Sequence, residues 1–153
     1  MVRKALSTST HNSASWTLEF DPTLALSCIR SCTATSLKAE TLASCPALIL
    51  EAQAQACGLH LRWSHNFTVQ AYVLSVRNLR YPEPGVAVGH IQAHVLERTA
   101  SAWSYAVHLH NQEPGHITLG HAPLPTGDPL QHYFYTRFHA LCTPCINASL
   151  QSF

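Results

Sequence analysis

The spacing of hydrophobic and polar positions changes twice along the chain and divides it into three parts. Alternation with a period of two predicts short strands at 16–20 and 24–32, and the small polar residues at 33–44 predict a loop. Over 45–61 apolar residues recur on nearly every side of a 3.6-residue period, which predicts a helix with Pro46 in its first turn. Beyond residue 69 the period returns to two.

The second half of the chain has the pattern of an antiparallel sheet. Four strands are predicted, at 69–81, 86–98, 103–111 and 116–124, with turns at 82–85 and 112–115. Short turns between alternating strands are typical of antiparallel neighbours, so we expect a four-strand meander. A helix that is apolar all round should be enclosed. The fold class predicted is therefore α+β, with an antiparallel sheet wrapped around a central helix.

The pattern also predicts the domain organisation. Residues 1–15 are expected to form a flexible N-terminal arm, 16–124 the domain itself, and 125–153 a C-terminal extension with a helix. Asp128 can cap that helix and Pro129 suits its first position. Its apolar side chains recur on one stripe that should pack on the domain or on a partner: Leu130, Tyr133, Phe134, Phe138 and Leu141.

Composition narrows the classes of partner. The chain has 153 residues, of which 46% are hydrophobic and 11% are charged, and its formal net charge is +1. Such a balance provides no field to attract nucleic acid or an anionic membrane. No apolar run reaches the roughly 18 residues of a membrane span, and residues 1–15 contain no apolar stretch of signal-peptide length. We therefore expect a cytoplasmic protein without a nucleic-acid or membrane partner.

One carboxylate stands out in the predicted central helix. Glu51 lies in the middle of an otherwise apolar segment, and burial of a lone charge is costly. Gln55 follows one turn later, so the two side chains can touch, whereas Gln53 points elsewhere on the helix. A carboxylate that the sequence places in the interior is a candidate for a functional site.

Two segments resemble a known family. The run "PALILEAQAQACGL" is similar to the central-helix motif of FabZ-type 3-hydroxyacyl-acyl-carrier-protein dehydratases, and "AYVLSVRNLRYPEPGVAVGH" is similar to the strand and loop that follow it. The resemblance implies the hotdog fold and an acyl thioester substrate. It also implies that Glu51 is the catalytic acid, with Gln55 beside it. Arg80 would help to bind a phosphate of phosphopantetheine or of the carrier protein.

The sequence departs from that family in the loop before the helix. Family members carry a catalytic histidine there, and counting back from Glu51 at the family's spacing reaches Leu37. No histidine occurs between His11 and His60. In the family, the histidine abstracts the α-proton while the acid protonates the leaving hydroxyl, so the loss of either should be costly.

Three interpretations of Glu51 therefore remain open. In the first interpretation, the chain is a 3-hydroxyacyl-thioester dehydratase, alone or as one subunit of a dehydratase pair in fatty-acid, polyketide or pigment synthesis. Alternatively, it is a hotdog thioesterase that uses Glu51 as nucleophile or general base. In the third interpretation it is a non-catalytic acyl-binding or scaffold subunit.

The resemblance also implies the partners. The substrate would be carried on the phosphopantetheine of an acyl-carrier protein or on coenzyme A, with no other cofactor. We expect a homodimer or a heterodimer with a related hotdog subunit.

The histidines and cysteines do not change this prediction. Four histidines would crowd one face of a hairpin, which is more typical of a solvated half-sheet than of a metal site: His90, His94, His108 and His110. The six cysteines, including the pair at 142 and 145, are expected to be free buried thiols.

Overall fold

The computed structural model describes residues 25–81 and 88–150, with side chains as far as Cys142. The predicted arm at 1–15, the strand at 16–20 and the turn at 82–85 lie outside the described residues.

Two strands precede a long helix, and four strands and a second helix follow it. The elements are β1 (Cys28–Cys32), β2 (Ser36–Thr41), α1 (Pro46–Ser64), β3 (Val69–Arg77), β4 (Gly89–Arg98), β5 (Ala102–Leu109), β6 (Gly115–Pro123) and α2 (Pro129–Leu150). All strands join one antiparallel sheet in the order β1-β2-β4-β5-β6-β3. The predicted α+β class with a C-terminal helical extension is thus observed.

The loop predicted at 33–44 is wrong, because it contains strand β2. Leu37, Ala39 and Thr41 are buried while Lys38 is exposed, which is the alternation of a strand with one face on the core. Small and polar residues occupy most of its positions and conceal that alternation in the sequence. Strand β2 pairs with β4 along its whole length.

The meander is also shorter than predicted. Strands β4, β5 and β6 follow one another, but β3 pairs with β6 and not with β4. The place beside β4 is taken by β2, so the strand that follows α1 lies at the far edge of the sheet. A sequence pattern can indicate which segments are strands, but their neighbours in the sheet depend on this crossover.

Helix α1 lies across the sheet and contributes one side to the core. It contacts β2 through β6, and small residues such as Ala52 and Ala56 allow the close approach. The helix extends to Ser64, beyond the predicted end at 61, and includes Gly58. Fully buried sheet residues pack with it: Leu37, Ile91, Tyr105, Leu109 and Ile117.

Helix α2 packs beside the C-terminal half of α1. The Asp128 carboxylate accepts a hydrogen bond from the Leu130 backbone N–H at 2.9 Å, as expected of an N-cap. Phe138 is buried, with its ring centroid 6.5 Å from that of Trp63 and 5.6 Å from that of Phe67. Neither helix in the described part of the chain has the length and apolarity needed to cross a bilayer.

A buried histidine joins α1 to the sheet. His60 is fully buried, and one of its ring nitrogens, Nε2, lies 2.8 Å from the Thr33 carbonyl oxygen. Because a carbonyl only accepts, Nε2 must carry the proton. The other nitrogen, Nδ1, lies 3.1 Å from the Tyr105 hydroxyl and accepts its hydrogen bond when the ring is neutral.

This arrangement predicts a pH-dependent stability. Burial lowers the pKa of His60 below its ordinary value; the Thr33 hydrogen bond opposes this shift and Arg98 adds to it. The folded protein therefore binds fewer protons than the unfolded chain as the pH falls through about 6.5. We expect the free energy of unfolding, measured with urea, to decrease between pH 7.5 and 5.5. In His60→Gln the decrease should be smaller. It should not disappear, because the pKa values of His94 and His121 are also lowered in the folded protein. An identical slope in the variant would contradict this account.

Candidate functional site

Glu51 is exposed in the single chain, so the prediction that it is buried is wrong. The neighbouring Ile49, Ala52 and Gln53 face the core, and the helical period then turns Glu51 away from the sheet. The sequence suggested enclosure because α1 also has apolar residues on this second side. That side faces α2 and the β3 edge of the sheet, which cover it incompletely.

Gln55 contacts Glu51 as predicted. Its side-chain amide donates a hydrogen bond from Nε2 to Glu51 Oε1 at 2.9 Å. The second carboxylate oxygen, Oε2, has no hydrogen-bond partner among the described residues. The pair is therefore oriented on one side and open on the other, an arrangement that leaves one oxygen available to a ligand.

Gln53 has a structural place, on the buried face of α1. Its side chain is 0% exposed, and Nε2 donates to the backbone carbonyls of Ile49 at 3.3 Å and Arg80 at 2.9 Å. The second bond ties the segment after β3 to the helix. The Arg80 side chain itself is exposed, with Nε 3.4 Å from the Glu113 carbonyl oxygen. It does not line either cavity beside Glu51, so the structure does not bring these two predicted site residues together.

Two cavities meet at Glu51. The first, of about 200 Å³, lies between α1 and α2 and is lined by Glu51, Gln55, Leu59, Arg62, Tyr133, Phe134, Arg137 and Leu141. The second, of about 210 Å³, lies between α1 and the sheet and is lined by Glu51, Ala54, Gln55, Gly58, Arg62, Ala71, Tyr72, Val73 and Leu119. Three polar side chains border both cavities, those of Glu51, Gln55 and Arg62.

Arg62 is a site residue that the sequence interpretation missed. Its guanidinium lies 3.9 Å from the centroid of the Phe134 ring, and Nη2 donates to the Ala71 carbonyl at 3.3 Å. Burial lowers the pKa of Arg62 to about 10, which leaves it charged at neutral pH. The sequence spacing could have identified it, because Arg62 follows Glu51 by eleven residues. That is about three helical turns, which places both residues on the same face of α1.

Strand β3 forms an open edge beside this site. It pairs only with β6 within the described part of the sheet, so its other side offers unpaired backbone groups. Most of its exposed side chains are apolar, namely Tyr72, Val73, Leu74 and Val76, and the exposed Arg77 ends the strand. A long edge that is apolar over four of its exposed positions is a template for pairing with another strand.

Among the described residues, no histidine lies beside Glu51 in the place expected from the dehydratase resemblance. Leu37, at the counted position, is a fully buried residue of β2 opposite Ala93. Only the four residues at 42–45 connect β2 to α1, and none is a histidine. The described residues that line the two cavities include no histidine either.

The predicted histidine pairs lie on the sheet, away from these cavities. The ring centroids of His90 and His110 are 5.5 Å apart, and those of His94 and His108 are 5.8 Å apart. Within residues 25–81 and 88–142, no three His, Cys, Asp or Glu side chains are grouped to hold a metal ion. None of the described cysteines forms a disulfide bond, and Cys45 is exposed where buried thiols were expected.

Comparison with known proteins relates this architecture to solved structures. A chain of the dehydratase heterocomplex ApeI:P from Xenorhabdus doucetiae is 16% identical and has a TM-score of 0.51, over 69% of this chain and 87% of that one. A mutant thioesterase from Pseudomonas aeruginosa is 13% identical with a TM-score of 0.52, over 66% and 84% of the two chains.

A third solved structure is a hypothetical thioesterase with coenzyme A from Streptococcus pneumoniae. It is 14% identical with a TM-score of 0.50, over 62% of this chain and 84% of that one. No family model and no curated protein matches the sequence. At these identities the similarity concerns the fold, and the chain has the hotdog fold.

Proposed function

We propose that this protein acts on acyl thioesters at the Glu51–Gln55 pair, as one half of a site that a second hotdog subunit completes. The observation that carries the proposal is the position of the pair. One carboxylate oxygen is held by Gln55 and the other is open, at the point where two cavities meet beside the unpaired β3 edge.

The open edge supports the need for a second subunit. Pairing of β3 with the same strand of another copy, or of a related subunit, would satisfy its backbone groups and cover Tyr72 and Val73. Because these two residues line the cavity that Glu51 borders, the partner would also close that cavity. Both the homodimer and the heterodimer remain compatible with this geometry.

The reaction we propose first is dehydration of a 3-hydroxyacyl thioester. Glu51 would donate a proton to the leaving hydroxyl through Oε2, while Gln55 fixes the carboxyl group. The base that removes the α-proton would come from a related but different partner subunit, since the described residues that line the cavities on this chain include no histidine. This division of labour accounts for an acid that is kept without its usual base.

The acyl chain would be carried on an acyl-carrier protein or on coenzyme A, and the proposal requires no other cofactor. Arg80 lies on the surface apart from both cavities. That position suits the phosphate end of a pantetheine arm, which must lie away from the thioester. Contact between Arg80 and this phosphate remains part of the proposal.

Thioester hydrolysis is the second candidate, and the same lack of a nearby histidine favours it. A single carboxylate can activate a water molecule or attack the thioester carbonyl itself. Gln55 would then orient Glu51 as a base or nucleophile. In this reaction the partner subunit would not have to supply a catalytic residue.

One assay separates the candidates. The purified protein is incubated with 3-hydroxyacyl and saturated acyl thioesters, both alone and with a related hotdog subunit, and enoyl product and free thiol are followed separately. We expect enoyl product that requires the second subunit. Thiol release from the saturated substrate would instead support a thioesterase, and no turnover of either substrate would leave a non-catalytic acyl-binding role.

A further inference from the structure

We propose that Arg62 binds an oxyanion carried by the acyl chain, so that the preferred substrates are acyl thioesters with a carboxylate at their far end. This inference rests on the proposed function. It assigns a specificity role to a side chain that neither the family resemblance nor the Glu51–Gln55 chemistry requires.

The first observation is that Arg62 has no counterion in the part of the chain that the structure describes. No carboxylate of the described residues forms an ion pair with it, and its contacts are the Phe134 ring and the Ala71 carbonyl. Its Nε atom is buried and has no hydrogen-bond partner there. A guanidinium that is partly removed from water without an anion is costly, and the unpaired buried donor favours an anion beside it.

The second observation is the direction in which the side chain lies. Helical side chains lean toward the N-terminus, and Nη1 of Arg62 would be 2.9 Å from a Cβ atom at Gly58. The absence of a side chain at Gly58 therefore provides the slot in which the guanidinium sits. At 1.5 Å per residue this slot lies about 10 Å along α1 from Glu51.

The third observation is the nature of the cavity between α1 and α2. Its walls include Leu59, Tyr133 and Leu141, which suit the methylene groups of an acyl chain. The charged groups are two guanidiniums, from Arg62 and Arg137, and one carboxylate, from Glu51. An acyl group whose thioester lies at Glu51 would thus pass apolar walls and present its end to a positive charge.

A phosphate is the other source of the same oxyanion chemistry. The phosphate of phosphopantetheine is separated from the thioester by the whole pantetheine arm, whereas the Arg62 guanidinium is only about two helical turns from Glu51. The shorter separation favours the acyl chain. Ligands that carry a carboxylate but no phosphate distinguish an acyl-chain carboxylate from the phosphate of phosphopantetheine.

The test is a binding measurement that does not depend on turnover. Calorimetry compares two unreactive thioethers of N-acetylcysteamine, an octanoyl-like one and one in which a carboxylate replaces the terminal methyl. For the wild type we expect the carboxylate ligand to bind at least about tenfold more tightly. In Arg62→Met, and in Gly58→Ala, which displaces the guanidinium, the ratio should fall to about one.

Lys38→Met provides a matched control, because it removes a positive charge from an exposed position of β2 outside both cavities and should keep the preference. Circular dichroism shows whether each variant is folded. Equal binding of both ligands by the wild type, an unchanged ratio in Arg62→Met, or a preference seen only with phosphate-bearing coenzyme A analogues would overturn the inference while leaving the proposed function intact. Binding of neither ligand, when a related hotdog subunit is also present, would overturn both.

Discussion

Replacement of Glu51 by glutamine is expected to lower turnover of the preferred acyl thioester by about 10²- to 10⁴-fold. The amide keeps the size of the side chain but can neither donate the proton that a leaving hydroxyl needs nor act as a base toward water. Because the site is exposed at α1, the fold should tolerate the change. The measurement is the initial rate of enoyl or thiol formation, at equal protein concentration and with the same partner subunit present.

Glu97→Gln is the matched control for this variant. Glu97 is also an exposed glutamate, but it lies on β4 and lines neither cavity beside Glu51. We expect it to retain wild-type turnover. Full activity in Glu51→Gln would exclude Glu51 as the reacting group, and equal loss in both variants would contradict an effect specific to Glu51.

A lysine in place of Leu74 is expected to prevent association through the β3 edge and to abolish turnover with it. Leu74 is 56% exposed and lies at the irregularity of β3 between Val73 and Ser75. In a pairing of β3 with a strand of another subunit, the lysine would bring an unpaired charge into an apolar contact, and burial of such a charge costs several kcal/mol. Association measured by sedimentation should therefore weaken by more than about a hundredfold.

Strand β4 offers an unusually close control. Leu96 is 57% exposed and also lies at a strand irregularity, between Val95 and Glu97, but not on the open edge. Leu96→Lys should leave association and activity unchanged. If Leu74→Lys associates as the wild type does, or if both lysine variants dissociate equally, the β3 edge is not the interface.

Strong local patterns made much of the fold predictable. The alternation of Trp103, Tyr105, Val107 and Leu109 marked β5 and its buried face, and the continuous apolar run marked α1. Strand β2 was missed because its inward positions include the small Ala39 and the polar Thr41, which carry little hydrophobic signal. The pairing of β3 with β6 depends on how the chain crosses the sheet, which no local pattern contains.

The site was predictable only where it depends on helical spacing. The contact between Glu51 and Gln55 follows from their separation of one turn. The exposure of Glu51 does not follow, because an apolar helix face looks the same in sequence whether its own sheet or a second subunit covers it. Arg62 was missed because the position of its guanidinium beside the cavities depends on two other residues. Gly58 leaves room for it, and Phe134, which it contacts, belongs to a helix far away in the sequence.

The central claim, that an acyl thioester binds at the Glu51–Gln55 pair, is tested most directly by nuclear magnetic resonance. The ¹⁵N-labelled protein, with its partner subunit, is titrated with an unreactive thioether analogue of a 3-hydroxyacyl pantetheine, and the side-chain amide signal of Gln55 is assigned by its absence in Gln55→Glu. We predict a saturable shift of this signal, because the ligand would contact the carboxylate to which the amide donates. Saturable binding that leaves the Gln55 signal unmoved would contradict the account.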